Sequence, residues 1–229
     1  MRVDGILFDK DGTLFDFGAT WEAWAESFLL RATGGDRSRA ALVGQEIGFD
    51  FVARRFQPGS IVIAGTPDEV TELLMPHFPE RSYADILDML NEEAENAPQA
   101  EAVPLVPLLS GLRDLGLRLG VATNDAEAPA LVHLETAGVR PLFDFIAGFD
   151  SGHGAKPQPG QLLAFAARTG LSPERIAMVG DSSHDLIAGR SAGMQTVAVL
   201  TGLAETAELA PYADVVLPDI GHLPAWLAG

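Results

Sequence analysis

The chain has 229 residues, no cysteine, and 32 acidic against 15 basic residues, which gives a formal net charge of −17. The lack of cysteine excludes disulfides, a thiol nucleophile and thiolate metal sites, and the excess of acids disfavours nucleic acids and anionic membranes as partners, because these attract positive charge. No apolar run approaches the roughly 18 residues that cross a membrane, and the first residues lack the apolar stretch of a signal peptide, so we expect a cytoplasmic protein.

The first predicted element is a short buried strand at Val3–Phe8, which an aspartate-rich turn follows. The pattern of residues 16–97 is then mainly helical, with interruptions at glycine-containing turns. Trp21 and Trp24 share one helical face, and Thr66 begins a helix that has a first-turn proline and a capping-box glutamate. We expect this segment to be a helical insert between the first strand and the remainder of a sheet.

From residue 98 onwards, β-prone apolar runs alternate with helical segments. Strands are predicted near Leu117–Ala122, Phe145–Ala147, Ile176–Val179, Thr196–Leu200 and Val215–Leu217. Three of the helices end at a glycine, because glycine takes the left-handed conformation at low cost; these are Gly138, Gly170 and Gly193. The alternation predicts an α/β fold with a doubly wound, mostly parallel sheet. The predicted organisation is one core domain from residues 1–15 and 98–229, with a second, helical domain inserted at 16–97.

Two carboxylates, Asp9 and Asp11, follow the first strand, and Gly12 permits a sharp backbone turn beside them. Ligands of parallel sheets bind beyond the carboxyl ends of the strands, so this pair marks a candidate site. The alternative is an ordinary acidic turn. Lys10, between the two acids, either pairs with an acid or touches the substrate, and we favour the pairing.

A similar arrangement follows the predicted strand Ile176–Val179. Gly180 supplies the turn, Asp181 lies at the strand end, and Asp185 lies one turn into the next helix, on roughly the same face. Acids also stabilise the N-terminus of a helix through its dipole. That structural alternative explains Asp185 better than it explains Asp181.

A third strand ends at Thr123 and Asn124, where a hydroxyl and free backbone N–H groups can bind phosphate oxygens. The alternative there is a helix cap by Asn124 or Asp125. The chain has only two lysines, and Lys156 lies in a stiff loop before a predicted helix, with Pro159 in the first turn of that helix. A solvated loop lysine is the alternative to a functional cation.

One mechanism uses all four segments. Asp9 and Asp181 suit Mg²⁺, a hard cation that shares its oxygen ligands with phosphate, and the metal and Lys156 would together neutralise a phosphate dianion. Asp9 attacks phosphorus and forms an aspartyl-phosphate. Asp11 protonates the leaving oxygen and then takes a proton from the water that hydrolyses the intermediate, while Thr123 and backbone N–H groups hold the phosphoryl oxygens. This mechanism predicts a small phosphorylated metabolite as the partner.

The chain closely resembles the haloacid dehalogenase-like (HAD) superfamily of phosphohydrolases. Its residues match the four family motifs in the family's order: Asp9-x-Asp11-Gly12-Thr13, Thr123, Lys156 and Gly180-Asp181-x₃-Asp185. The resemblance implies a Rossmann-like core, with the early insert as a C1-type cap that closes over the site and selects the substrate.

The same resemblance implies roles for individual residues. Asp9 would be the nucleophile and Asp11 the acid and base. Mg²⁺ would be held by the Asp9 side chain, the Asp11 backbone carbonyl and Asp181, with Asp185 binding the metal or orienting its ligands. We assign Thr123 and Lys156 to the catalytic set, and phosphate binding to a further group of residues: Gly12, Thr13 and Asn124.

Departures from the family pattern narrow the expected function. Family dehalogenases lack a second aspartate at the position of Asp11, and β-phosphoglucomutases usually carry glutamate at the position of Gly180. The pattern is most similar to phosphoglycolate phosphatase-like members. We therefore predict a Mg²⁺-dependent phosphatase, with phosphoglycolate as a candidate substrate. A phosphomutase of the β-phosphoglucomutase type and a receiver-like, phospho-accepting signalling module are the alternatives.

Overall fold

The computed structural model describes residues 3–229. Residues 1 and 2, which the sequence analysis assigned to the core domain, lie outside the described residues. The chain forms two compact units, of which one comprises the chain up to Phe17 together with Ala100–Gly229, and the other comprises Gly18–Gln99. None of the helices in the described part of the chain is long and apolar enough to span a membrane.

The helices and strands follow one another along the chain as β1 (Gly5–Phe8), α1 (Phe17–Ala32), α2 (Arg37–Glu46), β2 (Phe49–Asp50), β3 (Arg55–Phe56), α3 (Pro67–Leu74), α4 (Tyr83–Glu95), α5 (Leu105–Asp114), β4 (Arg118–Ala122), α6 (Glu127–Thr136), β5 (Phe145–Ala147), α7 (Gly160–Thr169), β6 (Ile176–Gly180), α8 (Ser183–Ser191), β7 (Gln195–Val199), α9 (Thr206–Leu209), β8 (Val215–Leu217) and α10 (Leu223–Ala228). Short 3-10 helices lie between them at Ile61–Ile63, Met75–His77, Arg140–Leu142, Pro173–Arg175 and Ile220–His222.

The first unit is built on a six-stranded parallel sheet with the order β5-β4-β1-β6-β7-β8. Strand β1 pairs with β4 on one side and with β6 on the other. After β1 the chain adds β4 and then β5 on one side of β1, and it then crosses to the other side of β1 to add β6, β7 and β8. Such a switch in direction leaves a crevice at the carboxyl ends of the central strands. The predicted α/β fold with a doubly wound parallel sheet is confirmed.

Both faces of this sheet are covered, which is why its strands are apolar on both sides. On one face Phe8 and Val179 pack in a cluster with leucines of α5 and α10. On the other face Leu7 and Met178 pack against Phe165 of α7. The alternation of neighbouring residues between two buried faces fixes the register of the strands, and so the positions of the residues that follow them.

The predicted strands and helix ends agree closely with the structure. Strands β5 and β8 have the predicted bounds, and the others differ by one or two residues at an end. The three predicted terminal glycines adopt left-handed conformations, with φ of 69°, 71° and 78° at Gly138, Gly170 and Gly193. The prediction for Pro159 was wrong by one position. This proline is the N-cap residue of α7, and Gly160 begins the helix.

The second unit contains α1 to α4 and a short hairpin formed by β2 and β3. The capping box predicted at Thr66 is present, and Trp24 stacks on Phe28 with ring centroids 5.7 Å apart while its indole N–H donates to the carbonyl of Leu90. The mainly helical pattern is thus confirmed, but the hairpin was missed. Each of its strands has only two residues, too few to produce a recognisable alternation.

Candidate active site

The carboxyl ends of β1, β4 and β6 bring the predicted site residues together. Asp9, Thr123 and Asp181 directly follow these three neighbouring strands, and all three are buried. Backbone hydrogen bonds continue the sheet past the strand ends, because Asp9 N donates to the carbonyl of Val179 at 2.8 Å and Thr123 N to that of Ala147 at 3.0 Å. The sheet itself therefore positions these side chains.

Three buried aspartates form a cluster at this edge. Asp9, Asp181 and Asp185 each offer one carboxylate oxygen, and these oxygens lie within 4.8 Å of one another. Burial and the neighbouring carboxylates raise the pKa of Asp9 to about 7 and hold the pKa of Asp181 well above its usual range. Asp185 also has the predicted structural role: its Oδ2 accepts hydrogen bonds from the backbone N–H and the hydroxyl of Ser182 in a capping box at the start of α8.

The only described cation in contact with this cluster is Lys156. Its Nζ lies 2.5 Å from Asp9 Oδ1, 2.7 Å from Asp185 Oδ1 and 2.8 Å from the carbonyl oxygen of Ala122. Only 5% of the residue is exposed, so the solvated-loop alternative was wrong. Burial alone would lower the pKa of Lys156, but Asp185 and Asp9 outweigh that effect and raise it. Lys156 is therefore protonated and positively charged in the site.

The loop that carries Lys156 is held by a side chain from the end of β4. Asn124 donates from Nδ2 to the carbonyl of Lys156 at 2.9 Å and accepts from the Lys156 N–H at 2.8 Å. The alternative of a helix cap by Asn124 or Asp125 was wrong, because the N-cap of α6 is Ala126 and makes no side-chain hydrogen bond. The side-chain amide of Asn124 thus holds the backbone of the lysine loop.

Gln161, in the first turn of α7, was missed by the sequence analysis. Its Nε2 donates to the carbonyls of Thr123 and Gly148, both at 3.0 Å, and so ties the end of β4 to the end of β5. The hydroxyl of Thr123 accepts a hydrogen bond from the N–H of Asp125 at 3.1 Å. A glutamine in a helical pattern gives no signal of such a role, which depends on two carbonyls distant in the chain.

The turn after β1 needs glycine. Gly12 has φ of +81°, and a Cβ at this position would lie 2.3 Å from Asp181 Oδ2. The hydroxyl of Thr13 donates to Asp181 Oδ1 at 3.4 Å. The turn therefore packs directly on the acidic cluster, and the alternative of an ordinary acidic turn was wrong.

A second loop, after β7, closes on the same aspartate and was also missed. Thr201 Oγ1 donates to the carbonyl of Gly12 at 2.6 Å. A Cβ at Gly202 would lie 1.7 Å from Asp181 Oδ2, so no other residue fits there without displacing the carboxylate. The signal that could have identified this loop is its threonine-glycine pair, one residue beyond the end of a predicted strand.

Asp11 lies apart from the three-aspartate cluster. Its carboxylate oxygens lie 2.8 Å and 2.7 Å from Lys10 Nζ, and Lys10 also contacts Asp125 Oδ2 at 3.2 Å. The preferred interpretation of Lys10, that it pairs with an acid, is confirmed. The structure therefore brings the Asp9 side chain to the acidic cluster and the Asp11 side chain to a second, neighbouring ion cluster.

Comparison with known sequences identifies the family. A sequence model of the haloacid dehalogenase-like hydrolases matches residues 3–193, most of the chain. The chain belongs to the haloacid dehalogenase-like hydrolase family. Membership decides against the receiver-like alternative, since it makes the protein an enzyme.

Individual relatives resemble this HAD hydrolase over most of its length. Phosphoglycolate phosphatase 1 of Pseudomonas aeruginosa is 30% identical, with 96% of this chain and 85% of the relative aligned. Pyrophosphatase PpaX of Bacillus pumilus is 26% identical, with 86% and 83% aligned. The crystal structure of a HAD phosphatase from Thermococcus onnurineus matches with a TM-score of 0.67 at 23% identity, over 99% of this chain and 98% of that one. The protein is thus a HAD-family phosphatase, a hydrolase of phosphoric monoesters.

The donor set of this HAD phosphatase fits a hard divalent cation. Three buried carboxylates converge, and one ammonium accompanies them. The raised pKa values of Asp9 and Asp181 mean that, without a further cation, full ionisation of the cluster is unfavourable. Carboxylate oxygens are the ligands that Mg²⁺ prefers. The cluster therefore fits a hard divalent cation such as Mg²⁺.

Proposed function

We propose that this protein is a Mg²⁺-dependent phosphatase that hydrolyses a small phosphorylated metabolite through an aspartyl-phosphate on Asp9. The observation that carries the proposal is the position of the Asp9 carboxylate, which lies 2.5 Å from Lys156 Nζ and within 4.8 Å of an oxygen of Asp181 and of Asp185. A nucleophile in this position attacks a phosphate group whose negative charge is neutralised by the buried ammonium and the metal ion.

The first half-reaction forms the intermediate. A carboxylate oxygen of Asp9 bonds to phosphorus, the bond from phosphorus to the substrate oxygen breaks, and Asp11 donates a proton to that oxygen. Lys156 faces the incoming phosphoryl group. The hydroxyl of Thr123 holds a phosphoryl oxygen. Gly12 and Thr13 instead shape the turn beside the site, because the N–H of Gly12 donates to the carbonyl of Phe15 at 2.7 Å and the hydroxyl of Thr13 donates to Asp181.

The second half-reaction releases phosphate. The oxygen of a water molecule bonds to phosphorus, the bond between phosphorus and Asp9 breaks, and Asp11 takes the proton of the water. Asp9 returns as a carboxylate, and Asp11 regains the proton that it gave in the first step.

The proposed metal ligands are the side chains of Asp9, Asp181 and Asp185 and the backbone carbonyl of Asp11. When bound, Mg²⁺ supplies positive charge that neutralises the phosphate oxygens during transfer. We propose that Asp185 serves mainly by holding Lys156, since its Oδ1 lies 2.7 Å from the ammonium and its Oδ2 is engaged by Ser182.

Substrate choice is proposed to lie with the Gly18–Gln99 unit, acting as the cap domain. Relatives of this protein are named for different substrates, among them phosphoglycolate and pyrophosphate. We propose phosphoglycolate as the first substrate to test. The cytoplasmic location and the absence of nucleic-acid and membrane partners stay predictions.

Gly180 favours hydrolysis over the phosphomutase alternative. A Cβ at this position would lie 2.4 Å from Cβ, Cγ and Oδ2 of Asp185. The glutamate that the family resemblance associates with β-phosphoglucomutases therefore has no room in this arrangement. We expect the intermediate to be transferred to water.

A panel of phosphorylated metabolites tests the function. The purified protein with Mg²⁺ is given phosphoglycolate, pyrophosphate, sugar phosphates and nucleotides, and free phosphate is measured. We expect release of phosphate, with the highest kcat/KM for phosphoglycolate. Conversion of a hexose 1-phosphate to the 6-phosphate without free phosphate would instead identify a mutase, and no turnover of any compound would reject a phosphatase of small metabolites.

The raised pKa of Asp9 predicts how metal and pH act on stability. Between about pH 4, near the pKa of an unfolded aspartate, and about pH 7, folded Asp9 keeps a proton that the unfolded chain releases. The stability of the metal-free protein therefore falls as the pH rises through this window. Mg²⁺ binds the ionised carboxylates, so we expect its effect on Tm to be larger at pH 8 than at pH 5, by at least about 3 °C, roughly 1 kcal/mol for a chain of this size.

Thermal unfolding at both pH values, with Mg²⁺ or with NaCl of equal ionic strength, measures this difference. An equal gain in Tm at the two pH values would contradict the assignment of the cluster as a metal site.

A further inference from the structure

The chain has two lysines, and both are buried beside the strand ends. Lys156 has a role in the proposed mechanism, whereas Lys10 has none so far. The side chain of Lys10 is fully buried. A buried ammonium is costly unless several partners compensate for its lost hydration. The partners of Lys10 therefore indicate why a cation is retained there.

Three segments of the first unit converge on the ammonium of Lys10. It lies 2.8 Å and 2.7 Å from the two oxygens of Asp11, 3.2 Å from Asp125 Oδ2 and 3.0 Å from His133 Nδ1. Asp125 lies two residues after Thr123, and His133 lies in α6. A lysine ammonium can only donate, so His133 Nδ1 accepts, and the imidazole is neutral with its proton on Nε2. The position of the ammonium is thus fixed from three directions.

The contact with Asp11 involves both of its carboxylate oxygens. A carboxylate has about four lone-pair sites, so two remain when each oxygen is engaged once. The Asp11 side chain is 11% exposed, whereas that of Asp125 is 2% exposed. Of the two carboxylates that Lys10 holds, Asp11 is the one that retains access to a reacting group.

We propose that Lys10 is a positioning residue that fixes the Asp11 carboxylate as the base of the second half-reaction. This inference rests on the proposed function. In that step the water oxygen bonds to phosphorus, the bond from phosphorus to Asp9 breaks, and the water proton passes to the Asp11 carboxylate. Lys10 acts only through Asp11, by holding both of its carboxylate oxygens in place.

With an aryl phosphate as substrate, an effect of Lys10 on the second half-reaction can be measured apart from any effect on the first. Nitrophenolate leaves without being protonated, so formation of the intermediate from p-nitrophenyl phosphate does not depend on a proton from Asp11. For this substrate kcat/KM reports formation of the intermediate, and kcat becomes limited by its hydrolysis when that step is slowed. A defect of positioning in the second step alone therefore lowers kcat and KM together.

The test is Lys10→Met, which keeps the length of the side chain and removes the charge. With saturating Mg²⁺ and p-nitrophenyl phosphate we expect kcat to fall about 30-fold, with kcat/KM unchanged within about threefold. Stopped-flow measurement should show a burst of about one equivalent of nitrophenol per site, with phosphoenzyme recovered after acid quenching. Equal loss of kcat and kcat/KM without a burst, or no loss at all, would overturn the inference.

A second variant decides the matter if Lys10→Met does not fold. His133→Leu keeps Lys10 and both of its acids but removes the third contact, and we expect the same pattern with a fall in kcat of about fivefold. An equal loss of kcat and of kcat/KM in this variant would also overturn the inference. Failure of the wild-type protein to release phosphate from any substrate would instead reject the proposed function, so the two failures are distinguishable.

Discussion

Asp9→Asn is expected to abolish turnover, with kcat for p-nitrophenyl phosphate lowered by at least about 10⁴-fold. The amide keeps the size and shape of the carboxylate but is a poor nucleophile, so the covalent step cannot begin. Asp9 Oδ1 also contacts Lys156 at 2.5 Å, and a neutral group there leaves the ammonium paired with Asp185. We expect no phosphoenzyme to be recovered from this variant after acid quenching.

The fold should survive this substitution. Burial and neighbouring acids raise the pKa of Asp9 to about 7, so an ionised Asp9 is a cost to the metal-free protein at pH 8. We expect the Tm of metal-free Asp9→Asn at pH 8 to be no lower than that of the wild type. Asp114→Asn, at an exposed position at the end of α5, is the matched control and should keep full activity. Full activity in Asp9→Asn would reject the mechanism.

Lys156→Met is expected to lower kcat/KM by about 10³-fold, because the buried ammonium is the protein's own cation at the phosphate position. Methionine fills a similar volume without charge. Its introduction leaves three carboxylates with no ammonium, so the variant should depend more strongly on the metal. We expect the gain in Tm with Mg²⁺ at pH 8 to be larger than in the wild type.

Steady-state kinetics at saturating Mg²⁺ and thermal unfolding measure the two effects of this substitution. Arg168→Met, which removes an exposed cation from α7, is the control for the loss of one positive charge. A value of kcat/KM within about tenfold of the wild type would show that Lys156 does not face the phosphate.

The residues that follow strand ends could be predicted from the sequence. Asp9, Thr123 and Asp181 each come directly after an apolar run, and parallel strands place their carboxyl ends at one edge of the sheet. The structure has all three there. Local patterns also identified the capping box at Thr66 and the left-handed glycines at helix ends, since these depend on residues close together in the chain.

The supporting residues could not be predicted, because their partners are distant in the chain. Asn124 holds the backbone of Lys156, 32 residues away, and Gln161 bridges the carbonyls of Thr123 and Gly148. Gly202 is required only because the carboxylate of Asp181 lies against it. Such requirements arise from packing between loops, which no local pattern records.

Because both lysines are buried, the described surface of the protein presents no lysine amine. Lys10 is fully buried and Lys156 is 5% exposed, so every basic side chain on the described surface is an arginine or a histidine. Acylating reagents such as succinimidyl esters find no lysine amine on that surface, and a lysine-specific endoprotease finds no accessible cleavage site within it. The rate at which such a reagent modifies either lysine therefore reports how often the structure opens locally around that lysine.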